Sequence, residues 1–316
     1  MQYRTVGSSS MKVSVVSLGT WVYGGEGWGL PNEREAGEMI RRAIEVGINL
    51  IDTAPAYGNG RAEEIVGKAI KGRREGVFIA TKCGLQTRGR GLQISLAPSE
   101  IRKELEQSLS RMGTDRIDLY QCHWPDPKTP IEETLTEMVR MQDEGKIRFI
   151  GVSNFDEVLL ERAVEVAPVA AMQGEYSLLS RGIEKEVMPI CHRLGLGVLT
   201  YGSLGGGILS GKYQSRPVFR KNDPRSFFYR YYREPLWSRS AGLIRVIKEI
   251  ARERERPPAH VALNWILQHN EVSSALVGAR TIQQMEENAS TGEWVLSPDE
   301  SVRLESASEQ CLTMVC

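Results

Sequence analysis

The sequence predicts an α/β protein built as a single (β/α)8 (TIM) barrel that spans residues 1–316. Short apolar segments alternate with amphipathic segments along the chain, and eight of the apolar segments have the length of buried strands. This alternation covers roughly the 250 residues that such a barrel needs. The first strand is not followed by Gly-x-Gly-x-x-Gly, the motif of an open dinucleotide-binding sheet. A closed barrel is therefore favoured over a doubly wound sheet.

The individual elements follow in a regular order. Residues 1–20 predict a β-hairpin around Gly7-Ser8-Ser9-Ser10 and then a first core strand from Val13 to Leu18. Seven more strands are predicted from apolar runs at residues 49–52, 77–81, 117–122, 147–152, 169–172, 198–200 and 275–277. Helices are predicted from the apolar period at residues 33–46, 63–70, 101–112, 131–143, 156–166, 183–194, about 240–252 and 259–269.

Two segments lie outside the repeat. Residues 207–240 carry three prolines and a mixture of Arg, Tyr and Phe, and this composition predicts a long loop over the C-terminal face of the barrel. The segment Ser297-Pro298-Asp299-Glu300 combines a serine cap, a first-turn proline and a glutamate three residues after the cap. An extra C-terminal helix is therefore expected to start there and to pack outside the barrel.

Composition narrows the range of partners. Forty basic and forty acidic residues give a net charge of zero, so no global field would attract nucleic acid or an anionic membrane. No apolar run approaches the roughly 20 residues of a membrane span, and the start has no signal-peptide core. The cysteines are odd in number and lack Cys-x-x-Cys spacing, which argues against disulfides and a metal site; they are Cys83, Cys122, Cys191, Cys311 and Cys316. A cytoplasmic protein that binds a small molecule is expected.

Polar side chains follow the predicted strands at the end where barrels of this kind carry their active sites. In chain order they are Thr20-Trp21, Asp52 with Tyr57, Lys82, His123, Ser153-Asn154, Gln173, Tyr201 and Arg280. Tyrosine is a poor acid at neutral pH, because its reference pKa is near 10. A neighbouring ammonium and an imidazole would favour the phenolate, and a carboxylate would keep the ammonium charged. The set suits proton donation to a carbonyl oxygen.

The sequence resembles the aldo-keto reductases over nearly its whole length. The shared motifs are the run from Asn49 to Gly58, Thr81-Lys82, Cys122-His123-Trp124, Gly151-Val152-Ser153-Asn154-Phe155 and Gly278-Ala279-Arg280 through Glu287-Asn288. The resemblance implies a catalytic tetrad of Asp52, Tyr57, Lys82 and His123, with Tyr57 as the general acid. Gly202-Ser203 and Gly278-Ala279-Arg280 place the chain nearest the bacterial and potassium-channel β-subunit branch.

The same resemblance implies an NADPH molecule extended across the barrel mouth. Its contacts would come from Thr20, Trp21, Asp52, Ser153, Asn154, Gln173, Tyr201, Leu204, Gly206, Lys212, Gly278, Arg280, Gln284, Glu287 and Asn288. Ser153, Asn154 and Gln173 would hold the nicotinamide carboxamide, and Tyr201 would stack on its ring. Independently, an arginine at the start of the helix after the eighth strand suits a phosphate, which favours NADP over NAD.

The expected activity is reduction of a small-molecule aldehyde or ketone, with hydride leaving the nicotinamide C4 and Tyr57 protonating the oxygen. One alternative is a class I aldolase with Lys82 as the Schiff base, which the neighbouring Asp52 and Arg280 disfavour. A second alternative is a redox-sensing module that, like the channel β subunits, holds NADP tightly and turns over slowly. An oligomer is compatible with the sequence. Arg225, in the long loop, is either a phosphate contact or a solvated charge.

Overall fold

The predicted barrel is confirmed. The computed structural model describes residues 1–25, 27–29, 32–88 and 91–313, and Cys316 lies outside them. The strands are β1 (Tyr3–Thr5), β2 (Lys12–Ser14), β3 (Val16–Gly19), β4 (Leu50–Asp52), β5 (Phe78–Cys83), β6 (Leu85–Arg88), β7 (Gly91–Ile94), β8 (Ile117–Cys122), β9 (Ile147–Ser153), β10 (Val169–Glu175), β11 (Gly197–Tyr201) and β12 (Val272–Val277). The closed barrel runs in the order β10, β11, β12, β3, β4, β5, β8, β9, and every pairing within it is parallel.

Helices surround the barrel and mostly match the predicted apolar periods. They are α1 (Glu33–Glu45), α2 (Arg61–Ile70), α3 (Pro98–Met112), α4 (Ile131–Asp143), α5 (Glu157–Val166), α6 (Val187–Leu194), α7 (Pro224–Phe227), α8 (Leu236–Glu253), α9 (Pro258–Leu267), α10 (Ile282–Ala289) and α11 (Pro298–Thr313). Local sequence fixes several ends. Asp156 caps α5 by accepting a hydrogen bond from the Leu159 amide at 2.9 Å, and Gly195 ends α6 in the left-handed conformation at φ 71°. Within the described residues, no helix is both long and apolar enough to cross a membrane.

The N-terminal hairpin closes the bottom of the barrel. Strands β1 and β2 pair antiparallel, and the first core strand starts at Val16 because Val13 pairs with Arg4 in the hairpin. Val6, Met11 and Val13 are fully buried against the apolar side chains that point into the barrel. This end of the barrel is therefore filled with hydrocarbon. We call the opposite end, where the C-terminal ends of the strands meet, the cleft.

Two further features differ from the sequence prediction. An antiparallel hairpin, β6 with β7, follows β5, where no strands were predicted. The segment predicted as a loop over residues 207–240 ends earlier, because α8 begins at Leu236. Before α8 it also contains the short helix α7 and two 3-10 turns, at Gly205–Ser210 and Arg230–Tyr232.

The predicted C-terminal helix is present as α11. Ser297 and Glu300 form a reciprocal capping box: the Ser297 amide donates to Glu300 Oε2 at 2.7 Å, and the Glu300 amide donates to Ser297 Oγ at 3.3 Å. The helix packs on α8 outside the barrel, where Arg254 donates to both oxygens of the Glu300 carboxylate.

Candidate active site

Strand alternation places a polar layer directly above an apolar layer inside the barrel. Leu50, Ala80, Leu119 and Ala171 belong to the apolar inner cluster. The residues two positions further along the same strands are Asp52, Lys82, Gln121 and Gln173, and each is at most 3% exposed. The cleft therefore has a buried, hydrogen-bonding floor.

Lys82 is the centre of this floor. Its ammonium donates to Asp52 Oδ1 at 2.6 Å, to the Thr53 carbonyl at 3.0 Å and to the Tyr57 hydroxyl at 3.3 Å. Tyr57 lies in the turn between β4 and α2, so its hydroxyl approaches Lys82 from above, and the Tyr57 ring is half-buried. The structure thus brings together three members of the predicted tetrad through one ammonium group.

Burial and pairing act on the Lys82 charge in opposite directions. Burial lowers the pKa of Lys82 below its ordinary value, and the Asp52 carboxylate offsets part of that shift by its charge and its hydrogen bond. A buried ammonium without this carboxylate would lose its proton more readily. Asp52 therefore favours the charged form of the group beside Tyr57.

His123 completes the predicted tetrad at the end of β8. Its amide donates to the Cys83 carbonyl at 2.9 Å, and its ring meets the Tyr57 ring edge-on, with centroids 6.1 Å apart. Burial first, and then the nearby Lys82 charge, hold the pKa of His123 well below its usual range. The imidazole is neutral at physiological pH, so it can offer one N–H donor but no positive charge.

Gln121 is a site residue that the sequence analysis missed. Its amide nitrogen lies 3.4 Å from Asp52 Oδ2, and the Gln173 amide nitrogen donates to the same oxygen at 2.8 Å. Gln173, expected at the nicotinamide carboxamide, therefore also supports Asp52. Gln121 was detectable from alternation, because it stands two residues after the inward-facing Leu119.

Asn154 organises the opposite side of the cleft. Its amide nitrogen donates to the His123 carbonyl and to Ser153 Oγ, both at 3.0 Å, while its Oδ1 accepts from the Tyr201 hydroxyl at 2.8 Å. Asn154 adopts a left-handed backbone at φ 61°, which is uncommon for a residue other than glycine. These bonds hold Ser153, Asn154 and Tyr201 together, and the Asn154 backbone amide donates to the Gln173 backbone carbonyl at 3.0 Å.

Aromatic rings line the remaining wall. Trp21 lies nearly parallel to Tyr57 at a centroid distance of 6.1 Å and meets Trp28 and Phe228 edge-on at 5.4 and 5.1 Å. Thr20 is buried beneath, and its amide and hydroxyl both donate to the Asp52 carbonyl at 2.9 Å. Thr20 therefore ties β3 to β4, and Trp21 faces the cleft.

The glycine-rich turn after β11 carries the next predicted contacts. Gly206 and Gly207 have φ of 66° and 102°, and Leu204 is half-buried beside them. A Cβ at Gly206 would lie 2.8 Å from the Tyr229 ring, and one at Gly207 would lie 3.0 Å from Lys212 Nζ. The turn therefore requires glycine, and it brings the Lys212 ammonium against bare backbone.

The end of β12 and the start of α10 carry the remaining residues that are predicted to contact the cofactor. Thr281 caps α10, and the Arg280 amide donates to Gln284 Oε1 at 3.1 Å. Gly278, Arg280 and Gln284 are exposed, Glu287 is half-buried and accepts from Gln283, and Asn288 is buried. Arg280 directly precedes the N-cap of α10, and its guanidinium reaches Gly29, where Nη2 would lie 3.4 Å from an added Cβ. A cation beside a helix N-terminus suits a phosphate.

Of the two roles that the sequence suggested for Arg225, the structure contradicts that of a solvated charge. It forms a two-point ion pair with Asp223, and its guanidinium lies over the rings of Phe219 and Trp28 at 4.4 and 5.3 Å. Its side chain is only 12% exposed. Arg225 thus fastens the long loop to the segment after β3.

Cys83 and Cys122 flank Lys82 and His123 but point outward. Both belong to the core between the strands and the helices, where the Cys122 thiol lies 3.7 Å from Met138 Sδ. Burial raises the pKa of the Cys83 thiol well above its ordinary value. Both thiols are therefore packing groups, and the raised pKa makes the Cys83 thiol a poor nucleophile.

Comparison with known proteins agrees with this geometry. A model of the aldo/keto reductase family matches residues 15–309. The chain is 38% identical to aldo-keto reductase YhdN of Bacillus subtilis over 99% of this chain and 95% of the relative. It is 34% identical to an NADH-specific methylglyoxal reductase of Escherichia coli over 90% of this chain and 91% of the relative.

A solved structure gives the same result in three dimensions. The glycerol dehydrogenase of Gluconobacter oxydans superposes with a TM-score of 0.90 at 35% identity, covering 98% of this chain and 96% of that one. The family match, the relatives and the shared barrel agree along nearly the whole length. The chain belongs to the aldo/keto reductase family, whose oxidoreductases use a nicotinamide cofactor.

Proposed function

We propose that the protein reduces aldehydes or ketones to alcohols with NADPH, and that Tyr57 is the general acid. One observation carries the proposal: a single ammonium, that of Lys82, lies 2.6 Å from Asp52 Oδ1 and 3.3 Å from the Tyr57 hydroxyl. A hydroxyl beside a buried cation at a solvent-reachable cleft is suited to releasing a proton to a substrate.

Each protein group has a defined part. Tyr57 gives its proton to the carbonyl oxygen, and Lys82 stabilises the phenolate that remains. Neutral His123 donates its N–H to the same oxygen and so orients the carbonyl. Asp52 touches neither substrate nor proton, and it acts as a positioning residue through Lys82. The bound nicotinamide supplies the hydride for the carbonyl carbon.

The residues of the cleft fit a dinucleotide phosphate. The turn at Gly206 and Gly207 leaves open backbone beside the Lys212 ammonium, which suits a pyrophosphate. At the end of β12, the Arg280 guanidinium and the N-terminus of α10 suit a further phosphate, the group that distinguishes NADP from NAD. Arg280 is exposed and therefore reachable. We infer that Arg280, with Gln284 beside it, sets the preference for NADP.

Replacing Tyr57 by Phe tests the mechanism. The variant keeps the ring but lacks the proton, so kcat for reduction of an aldehyde panel with NADPH should fall by roughly 100- to 10,000-fold. The Kd of NADPH, measured by fluorescence, should stay within about twofold of the wild-type value, since cofactor binding does not use the Tyr57 proton.

Tyr3→Phe is the matched control, because within the described part of the chain the Tyr3 hydroxyl bonds to the Gly47 carbonyl alone, on the far side of the barrel. Near-normal kcat in Tyr57→Phe would refute the proposed acid. Slow turnover in the wild type, with a cofactor that does not exchange, would favour the redox-sensing alternative.

Replacing Arg280 by Ala tests the cofactor. A charge-assisted bond is worth about 1.5–3 kcal/mol, so KM for NADPH should rise roughly 10- to 100-fold while KM for NADH stays nearly constant. Arg193→Ala, which removes an exposed arginine paired with Glu161, is the control. A wild type that already prefers NADH would overturn the assignment of Arg280.

A further inference from the structure

Six side chains form a closed ring around the cleft, which we call the cleft ring. The ring centroids of Tyr57 and Trp21 are 6.1 Å apart, those of Trp21 and Phe228 are 5.1 Å apart, and those of Phe228 and Tyr201 are 6.4 Å apart. The Tyr201 hydroxyl bonds to Asn154, the Asn154 amide bonds to the His123 carbonyl, and the His123 ring meets Tyr57 again at 6.1 Å. One arc of the ring is thus aromatic and the other is polar.

Phe228 is the member of the cleft ring that comes from the long loop. The other five stand at or just beyond the ends of β3, β4, β8, β9 and β11. Strand β12 lies between β11 and β3 and ends at Val277, and the next residue, Gly278, has no side chain to offer. Phe228 spans this gap by contacting Tyr201 on one side and Trp21 on the other.

The loop holds Phe228 in place through its neighbours. Tyr229 is buried and meets the Phe228 ring edge-on at 5.1 Å. The Tyr231 hydroxyl donates to Glu175 at 2.6 Å, and the Tyr232 hydroxyl donates to the Gly206 carbonyl at 3.1 Å. Phe228 itself stays 36% exposed. A large apolar ring is therefore kept at the surface of the cleft, where burial against a ligand is favourable.

We propose that Phe228 is a specificity-determining residue for the reduction, an inference that rests on the proposed function. A carbonyl oxygen directed at Tyr57 and His123 leaves its substituent on the aromatic arc, against Trp21 and Phe228. A flat apolar substituent gains contact there. A hydroxylated substituent loses water and finds no hydrogen-bond partner on Phe228, which costs affinity.

The test compares kcat/KM for benzaldehyde and for glyceraldehyde in the wild type and in three variants. Phe228→Ala should lower the benzaldehyde-to-glyceraldehyde ratio roughly tenfold, chiefly through KM for benzaldehyde. Phe228→Tyr keeps the ring, so KM for benzaldehyde should stay within about twofold of the wild-type value. Phe227→Ala is the matched control, because Phe227 is exposed in the same loop and makes no aromatic contact within the described residues.

Two further measurements separate the possible failures. If Phe228→Ala weakens NADPH binding but leaves the substrate ratio unchanged, Phe228 serves the cofactor and the inference is wrong. Calorimetry gives the Kd of benzyl alcohol and of glycerol for the NADP-saturated protein. The ratio of the two measures the preference for an aromatic over a hydroxylated ligand without turnover. A protein that reduces neither aldehyde but shows a benzyl alcohol preference that depends on Phe228 would refute the proposed function alone. An equal preference in wild type and Phe228→Ala would refute this inference.

Discussion

At the scale of single residues, the Asp52 carboxylate is held by three side chains of the site. Oδ1 takes the Lys82 ammonium, and Oδ2 takes the amides of Gln173 and Gln121. A carboxylate that is only 3% exposed is costly unless it is paired and hydrogen-bonded, and here both oxygens are satisfied. Three strands of the barrel thus cooperate to hold one buried carboxylate in place.

Replacing Asp52 by Asn should change the pH dependence of the reaction. Lys82 would lose the charge that partly offsets its burial, so the pKa of Lys82 would fall further. If the charged ammonium is what supports Tyr57, kcat at pH 7 should drop about 10- to 100-fold and recover partly as the pH is lowered. The measurement is kcat from pH 5.5 to 9.

Asp118→Asn is the matched control for this experiment. Asp118 is equally buried and paired with Arg74 and Arg148, but it accepts from the Ile79 amide at the other end of the barrel. This variant should lose stability while keeping its pH profile. A profile of Asp52→Asn that is merely scaled down, with no shift toward acid, would contradict the assigned role.

At the scale of elements, α3 holds the chain just beyond Lys82. The Glu104 carboxylate, 3% exposed, accepts from the Gly84 amide at 3.1 Å and from the Gln86 amide of β6. Burial raises the pKa of Glu104 to about 7 despite these bonds. The contact between α3 and the unpredicted hairpin is therefore sensitive to pH.

This shift predicts how stability changes with pH. The pKa of Glu104 in the folded state lies above its value in the unfolded state. The stabilisation that Glu104 gives the folded state is therefore complete below about pH 4.5 and is lost as the pH rises through 7. The loss amounts to at most about 3 kcal/mol. Urea unfolding of the wild type and Glu104→Gln should show a difference that shifts in favour of the variant between pH 5 and 8. A difference independent of pH would contradict the raised pKa.

What the sequence could predict depends on the range of the forces involved. The helices and core strands follow from local apolar periods, and the strand-end positions of Asp52, Lys82 and His123 follow from the barrel. The β6–β7 hairpin was missed because its residues lack a strong apolar alternation. Phe228 was missed as a cleft residue because its contacts, to Trp21 and Tyr201, join segments far apart in sequence through an irregular loop.

At the scale of the whole molecule, the two ends of the barrel have opposite chemistry. The bottom is sealed by hairpin residues Val6, Met11 and Val13 against an apolar layer. The polar floor of the cleft begins one layer higher, at Asp52 and Lys82. Because the apolar seal excludes water from below, the ion pair is screened only from the cleft side, which strengthens its electrostatic effect. The hairpin thus reduces the solvent screening of the ion pair without contacting it.

Replacing Met11 by Ala tests whether the hairpin stabilises the fold without taking part in the reaction. Met11 is fully buried in the seal, so losing its side chain should lower the free energy of unfolding by about 2–5 kcal/mol. Lys12→Ala, the exposed neighbour in β2, should cost far less. Urea denaturation measures both, and kcat per folded molecule should stay near the wild-type value in each, since the apolar layer separates Met11 from Lys82. A Met11→Ala variant as stable as the wild type would mean that the hairpin does not seal the core. If that variant also had a reduced kcat, the hairpin would act on the active site itself.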